Sequence, residues 1–261
     1  MFKQHKKAIE LITDNLSQKD EILGIIVGGS VAHGFASETS DIDLMLVLSE
    51  ADYKTAFNIG NILYKDTEST NYKEGYIDGK YTCLSYIRKV AESGSEPARY
   101  AFKDAFVTYS KIPELEDLIK KASRYPNDKK MENLEKFHAQ FEAWKWMYYE
   151  GLKRNNNYVI DFSVINFVLF AGRLILALNE TLYPYHKWFL RVLEGLENKP
   201  EDLMNIIDNV LKNKTQDSVE ALYECIHKFH NFPQYERGWH ARFMLDSELN
   251  WMSGYVPVPD L

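Results

Sequence analysis

Apolar positions along the 261-residue chain change rhythm partway through. Up to about residue 125, short apolar runs alternate with polar stretches. Ile9, Ile12 and Leu16 recur at the spacing of one helix face, so residues 5–16 predict a helix. Ile22 to Val27 is a short β-branched run that leads into Gly28-Gly29, which predicts a buried strand closed by a tight turn. Ile42 to Leu48 predicts a second buried strand. Tyr76-Ile77, Asp78-Gly79 and Tyr81 to Tyr86 read as a hairpin, because Asp-Gly supplies the positive φ angles of a two-residue turn. A helix is expected from Glu96 to Ala105, with Pro97 near its start, and a strand over Phe106 to Tyr109.

From about residue 130 the period is helical throughout. Leu134, Phe137, Phe141, Trp144 and Tyr148 repeat at spacings of three and four and mark one apolar stripe. Further helices are expected over 159–178, 186–197, 201–212, 216–230 and 236–251. Pro200 with Glu201 and Asp202 suits a helix start, and Thr215 suits a cap. The best boundary is Tyr125-Pro126-Asn127-Asp128. The chain therefore reads as two domains, a mixed α and β region over 1–125 and an all-α helical bundle over 126–261.

Composition narrows the function. A net charge of −7 argues against a general nucleic-acid binder, whose affinity comes from Lys and Arg neutralising phosphates. Two cysteines, Cys83 and Cys225, need no disulfide framework and fit a reducing cytoplasm. The most apolar run, Val164 to Leu178, contains Asn166 and Arg173, falls short of a bilayer span and reads as a buried helix. A soluble, cytoplasmic protein with no membrane partner is the expectation, with a homodimer left open.

The sharpest chemical feature is Gly28-Gly29-Ser30, then ten residues, then Asp41-Ile42-Asp43 at the head of an apolar strand. Two glycines at a strand end let the backbone turn sharply and bring its N–H groups close to a ligand. Ser30 adds a hydroxyl, and a helix starting there would attract phosphate. Alternate strand residues share a face, so the carboxylates of Asp41 and Asp43 lie side by side while Ile42 points into the core. Such a pair repels unless a cation sits between them, and hard oxygen donors completed by a phosphate are what Mg²⁺ prefers.

In this order of strand, Gly-Gly-Ser, spacer, Asp-x-Asp and apolar strand, the chain resembles the DNA polymerase β-like nucleotidyltransferase superfamily. That superfamily includes aminoglycoside and lincosamide nucleotidyltransferases, tRNA nucleotidyltransferases and antitoxin-type AMP transferases. The resemblance implies an α+β N-terminal nucleotidyltransferase domain with a small mixed sheet. It implies that Gly29 and Ser30, beside Gly28, hold the β- and γ-phosphates of an NTP, most simply ATP, and that Asp41 and Asp43 bind Mg²⁺. The superfamily also places a third carboxylate on a later strand. The strand expected there, Tyr81 to Tyr86, has no acid. Asp78 sits just before it and could serve, or could be there for the turn itself; Glu68 and Glu74 are weaker candidates.

Other residues fit less sharply. His33, within the spacer, could approach the triphosphate or be a loop histidine. Lys187, in Tyr183-Pro184-Tyr185-His186-Lys187-Trp188, stands near a helix start beside aromatics and could reach a triphosphate, or be solvated. Trp144, Trp146, Tyr185 and Trp188 offer aromatic surfaces of the kind that line small-molecule sites. Arg173 needs a partner if buried. Cys225, His227 and His230 have no known zinc spacing, and amphipathic packing of Ile226 and Phe229 explains that helix. The expected function is NMP transfer, most simply of AMP, to a hydroxyl of an unidentified small acceptor. The alternatives are transfer to RNA or protein, or a nucleotide-binding relative that has lost turnover for want of the third acid.

Overall fold

In the computed structural model, which describes residues 1–254 and 256–258, the chain divides into two units, Met1–Tyr125 and Pro126–Leu261. The first begins with α1 (Lys3–Ser17), which buries Ala8, Ile9, Ile12 and Leu16 at helical spacing. β1 (Gly24–Val27) follows, buried along its whole length, and ends in the single turn α2 (Gly29–Ala32). Then come β2 (Ile42–Leu48), α3 (Glu50–Asn58), β3 (Leu63–Asp66), β4 (Ile77–Cys83), α4 (Leu84–Ser93), α5 (Glu96–Tyr100), β5 (Phe106–Ser110) and α6 (Leu115–Ala122).

The five strands form one mixed sheet in the order β3-β4-β2-β1-β5. β2 and β4 are parallel, and the other neighbours are antiparallel. Strand alternation sends Ile25, Val27, Ile42, Leu44 and Leu46 to the side of α1. It sends Ile26, Met45 and Val47 to the side of α4 and α6, against Ile87, Val90, Leu118 and Ile119. Each such buried aliphatic contributes roughly 1.5–3 kcal/mol. The two central strands, covered on both faces, therefore have little freedom to shift.

The hairpin expected at Asp78-Gly79 does not form. β4 runs straight through both residues, and its antiparallel partner is β3, with Lys65 opposite Asp78 and Tyr64 opposite Gly79. The glycine serves packing: a Cβ there would lie 3.3 Å from Tyr64 Cβ and Cδ1. β4 ends at Cys83, and residues 84–86, expected as strand, open α4. α3 and β3 have no counterpart in the apolar pattern, since α3 buries no residue and β3 is a sheet edge. α5 stops at Tyr100, short of Ala105, and residues 101–104 form turns.

The second unit is helical, as the period predicts. α7 (Lys130–Lys153) and α8 (Asn157–Leu178) are joined by three residues, with the Asn156 side chain accepting from the Val159 N–H as a cap. α9 (Phe189–Glu194), α10 (Leu203–Asn213) and α11 (Gln216–Phe229) follow, the last capped by Thr215. The final expected helix is broken: α12 (Gly238–Phe243) passes into a π turn and then a 3₁₀ turn. α8 starts earlier than the apolar run suggests. By length and composition it could cross a membrane, yet half of that stretch is buried within this unit, including Phe167, Ala171, Leu174 and Ile175. Arg173 on α8 stacks its guanidinium between the rings of Phe137 and Tyr183, 4.2 and 4.4 Å away.

Candidate active site

The turn after β1 is built around one carboxylate. The Gly28 N–H donates to the Asp43 carbonyl at 3.0 Å and ties the end of β1 to the start of β2. Gly29 then takes φ +59°, the left-handed region where a side chain is strained. A Cβ at Gly29 would fall 1.7 Å from Asp43 Oδ2 and 2.4 Å from its Cγ. The Asp43 carboxylate thus lies directly against the bare Cα of Gly29, and no other residue fits. Ser30 comes next. It is 5% exposed, and its hydroxyl has no hydrogen-bond partner among the described residues. Its carbonyl accepts from the N–H groups of Phe35 and Ala36 at 2.8 and 3.0 Å, so the backbone beneath the hydroxyl is held. A buried polar group left unpaired costs about 1–3 kcal/mol, a cost that a ligand oxygen would remove.

Asp41 immediately precedes β2, after a turn in which the Ser37 N–H donates to Ser40 Oγ at 2.9 Å and the Tyr72 hydroxyl donates to the Ser40 carbonyl at 2.9 Å. Asp41 and Asp43 are partly buried and share a face by alternation. Asp78 joins them from β4. In the parallel ladder it stands directly beside Asp43, one strand spacing of about 4.8 Å away in backbone terms. The Tyr76 hydroxyl lies within reach of their charges. Its pKa is raised first by a hydrogen bond to the Asp41 carboxylate and then by the charge of Asp41, with Asp78 and Asp43 adding to it. Asp78 is therefore a strand residue beside the aspartate pair, not the turn residue that Asp-Gly suggests.

The other acids stay apart. Glu68 and Glu74 lie in the connection from β3 to β4, and Glu74 is exposed beside Lys73. A residue not singled out from the sequence, Lys80, follows Asp78 on the same face of β4 and pairs in register with Met45. The residue is exposed overall, yet desolvation of its ammonium lowers its pKa, while the charge of Asp43 opposes the shift. A single lysine between Gly79 and Tyr81 carries no signal of this kind; only the strand register reveals it.

His33 is held rather than loose. Its side chain is 4% exposed, Nδ1 lies 3.4 Å from Asp104 Oδ2, and the ring packs on Tyr100 with centroids 4.6 Å apart. Burial lowers its pKa, and the hydrogen bond to Asp104 partly opposes this. Arg99, in the segment Glu96 to Tyr100, spends its guanidinium on the carbonyls of Gly94, Ala91 and Arg124, a structural role. In the helical unit, Lys187 is exposed on a single 3₁₀ turn with its ammonium over the Trp188 ring at 5.2 Å. Tyr185 just before it is 60% exposed, and Trp146 is 51% exposed. Trp144 is partly buried, donates to Gln140 Oε1 at 3.0 Å and packs edge-on against Phe162 and Phe243.

Residues 9–122 match the model of a nucleotidyltransferase domain. A search of curated proteins finds no match. Among solved structures, one similar chain is a nucleotidyltransferase-like protein from Exiguobacterium sibiricum 255-15, solved at 1.90 Å. It is 10% identical, with a TM-score of 0.48, over 95% of this chain and 79% of that one.

Proposed function

We infer that the protein, whose residues 9–122 match a nucleotidyltransferase domain, is an NMP-transferring enzyme and that it moves AMP from ATP to a hydroxyl of a small acceptor. The observation that carries this reading is the register of Asp78 beside Asp43, with Asp41 on the same face. Three carboxylates near the Gly28-Gly29-Ser30 turn suit turnover better than nucleotide sensing alone, because each has a separate task.

The donor set fits a hard divalent cation. Asp41 and Asp43 offer carboxylate oxygens two residues apart, and among the described residues no imidazole or thiolate is grouped with them as a softer ion would favour. Asp41 and Asp43 would hold Mg²⁺, which supplies Lewis-acid stabilisation of charge on the phosphates. The chain's own residues do the rest. Gly28 and Gly29 form the turn on which the β- and γ-phosphates would rest, and the unpaired Ser30 hydroxyl donates to one of their oxygens. The acceptor hydroxyl oxygen forms a bond to the α-phosphorus, the bond from that phosphorus to the oxygen bridging to the β-phosphate breaks, and pyrophosphate leaves. Asp78 takes the hydroxyl proton as general base. His33, fastened to Asp104, shapes the loop around the phosphates. Both cysteines are free, which supports a cytoplasmic setting.

The test is incubation of the protein with each α-labelled NTP and Mg²⁺ against pools of small hydroxylated acceptors, RNA and protein. Label moving from ATP to the small-molecule pool supports the reading. Label moving only to RNA or protein would replace the acceptor, and a preference for another NTP would replace the donor.

A further inference from the structure

The helical unit carries a second cluster of ligand-type groups, unused by nucleotidyl transfer. His138 and Glu142 stand one turn apart on α7 and so face the same way. His227 reaches them from α11. The Nε2 atoms of His227 and His138 lie 3.0 and 3.4 Å from the same oxygen, Glu142 Oε1. One donor atom from each of the three residues falls within 4.8 Å of the others. The two imidazoles meet edge to face, with centroids 5.4 Å apart at 87°, so neither ring stacks across the other's nitrogen.

An ordinary hydrogen-bonded network does not account for all of this. His227 and the Tyr223 hydroxyl both hydrogen-bond the Glu142 carboxylate. His138 does not: its Nε2 is buried and has no hydrogen-bond partner among the described residues, although the side chain is only 5% exposed. A buried imidazole nitrogen that lies 3.4 Å from a carboxylate oxygen without hydrogen-bonding it is a group open to a third party.

We propose that His138, Glu142 and His227 form a binding site for a divalent transition metal of the zinc class, separate from the strand carboxylates. An ion held tetrahedrally at 2.0–2.2 Å sets its donors roughly 3.3–3.6 Å apart, so these side chains need only small adjustments. Two imidazoles and one carboxylate suit Zn²⁺ and its neighbours, whereas Mg²⁺ and Ca²⁺ favour all-oxygen shells. Three protein donors leave a fourth position for water or an exogenous ligand. The Tyr223 hydroxyl, 3.0 and 3.3 Å from the two Glu142 oxygens, orients the carboxylate as outer-shell partners do. Phe232 stacks on His138, and Phe141 packs against His227. The local Cys225, His227 and His230 spacing is not what gathers the ligands, for His227 turns to α7 and the other two are outside the cluster.

The experiment uses the full chain carrying Asp41→Asn and Asp43→Asn, so that the strand carboxylates cannot compete, with nucleotide and Mg²⁺ absent. Titration with Zn²⁺ is expected to saturate at one ion per chain and to raise Tm with concentration. Co²⁺ in its place should give the visible bands of a four-coordinate ion. His227→Ala and His138→Gln should each weaken Zn²⁺ by at least about 100-fold, and Tyr223→Phe by about 10–100-fold. His227 is 29% exposed, so its loss tests binding with little risk to folding, which circular dichroism checks. Absence of saturable binding in the parent, or Zn²⁺ affinity unchanged in both histidine variants, would overturn the site and leave Glu142 as a structural hydrogen-bond acceptor. Neither result bears on nucleotidyl transfer.

Discussion

Gly29 in the sheet unit and Gly172 in the helical unit both stand where a Cβ would collide, but with different things. At Gly29 the obstacle is the Asp43 carboxylate, 1.7 Å from the added atom. At Gly172 it is the Phe189 ring, with Cζ at 2.3 Å, and behind it Leu193 at 3.1 Å. In the first unit the space denied to a side chain is held by a carboxylate of the candidate site; in the second it is held by the core. The contrast extends to how each unit places its reactive groups. Asp41, Asp43 and Asp78 are positioned by backbone, through a strand alternation and a ladder register. His138, Glu142 and His227 are positioned by two long helices whose side chains happen to meet.

The largest effect expected from breaking this arrangement is at the aspartate pair. Asp41→Asn and Asp43→Asn should each lower kcat/KM for transfer by at least about 10³-fold, several kcal/mol of lost charge stabilisation, with the fold intact by circular dichroism. Near-native transfer at saturating Mg²⁺ in either variant would move that residue out of the metal shell. Asp78→Asn comes next, with kcat down about 10²–10⁴-fold while the Kd for ATP stays close to that of the parent. Turnover unaffected by this change would reduce Asp78 to a sheet residue.

The two glycines sharpen the comparison directly. Gly172→Ala should destabilise by about 1–3 kcal/mol through overpacking, and the folded protein should bind ATP as before. Gly29→Ala should cost about 1–2 kcal/mol in backbone strain and weaken ATP binding as well, because Asp43 must move. Equal effects on ATP affinity would mean that the distinction between the two regions is false. Ser30→Ala should weaken ATP by about 1–2 kcal/mol, measured by calorimetry, and an unchanged Kd would make the hydroxyl structural.

The smallest effect is a slope in pH. His5 on α1 is fully buried, and desolvation lowers its pKa from the ordinary 6.5, only partly offset by the Ser40 backbone. The folded state then binds fewer protons than the unfolded one below that pH. Its contribution to stability is complete above 6.5 and is lost as pH falls toward the folded value. His5→Leu should flatten this part of the acid limb in denaturant titrations; an identical slope would exclude His5 as the source.

How much of this could be read beforehand depended on burial. β1 and β2 announce themselves because both faces are covered, so apolar residues run on without alternation. α7 and α8 announce themselves through length and period. β3 is an edge strand with Leu63 70% exposed, and α3 buries nothing, so neither leaves an apolar signature. β4 misled for a definite reason: Asp-Gly is a strong turn signal, and only tertiary packing of Tyr64 over Gly79 explains why the pair lies in a strand. The Gly-Gly-Ser and Asp-x-Asp segments are contiguous and hence legible. The neighbourhood of Asp78, and that of His138 with His227 on another helix, exist only after folding.

The ladder that sets Asp43 beside Asp78 has a further consequence, for engineering rather than catalysis. Between those residues the chain leaves the site, winds through α3, passes the sheet edge at β3 and returns, with Phe57, Ile59 and Leu63 exposed on the way. Hydrogen bonds between β2 and β4, not the length of that excursion, decide where Asp78 stands. The bend around Ile59 to Ile62 is therefore a graft point. A reporter or a whole domain spliced in there would lengthen the detour without altering its destination.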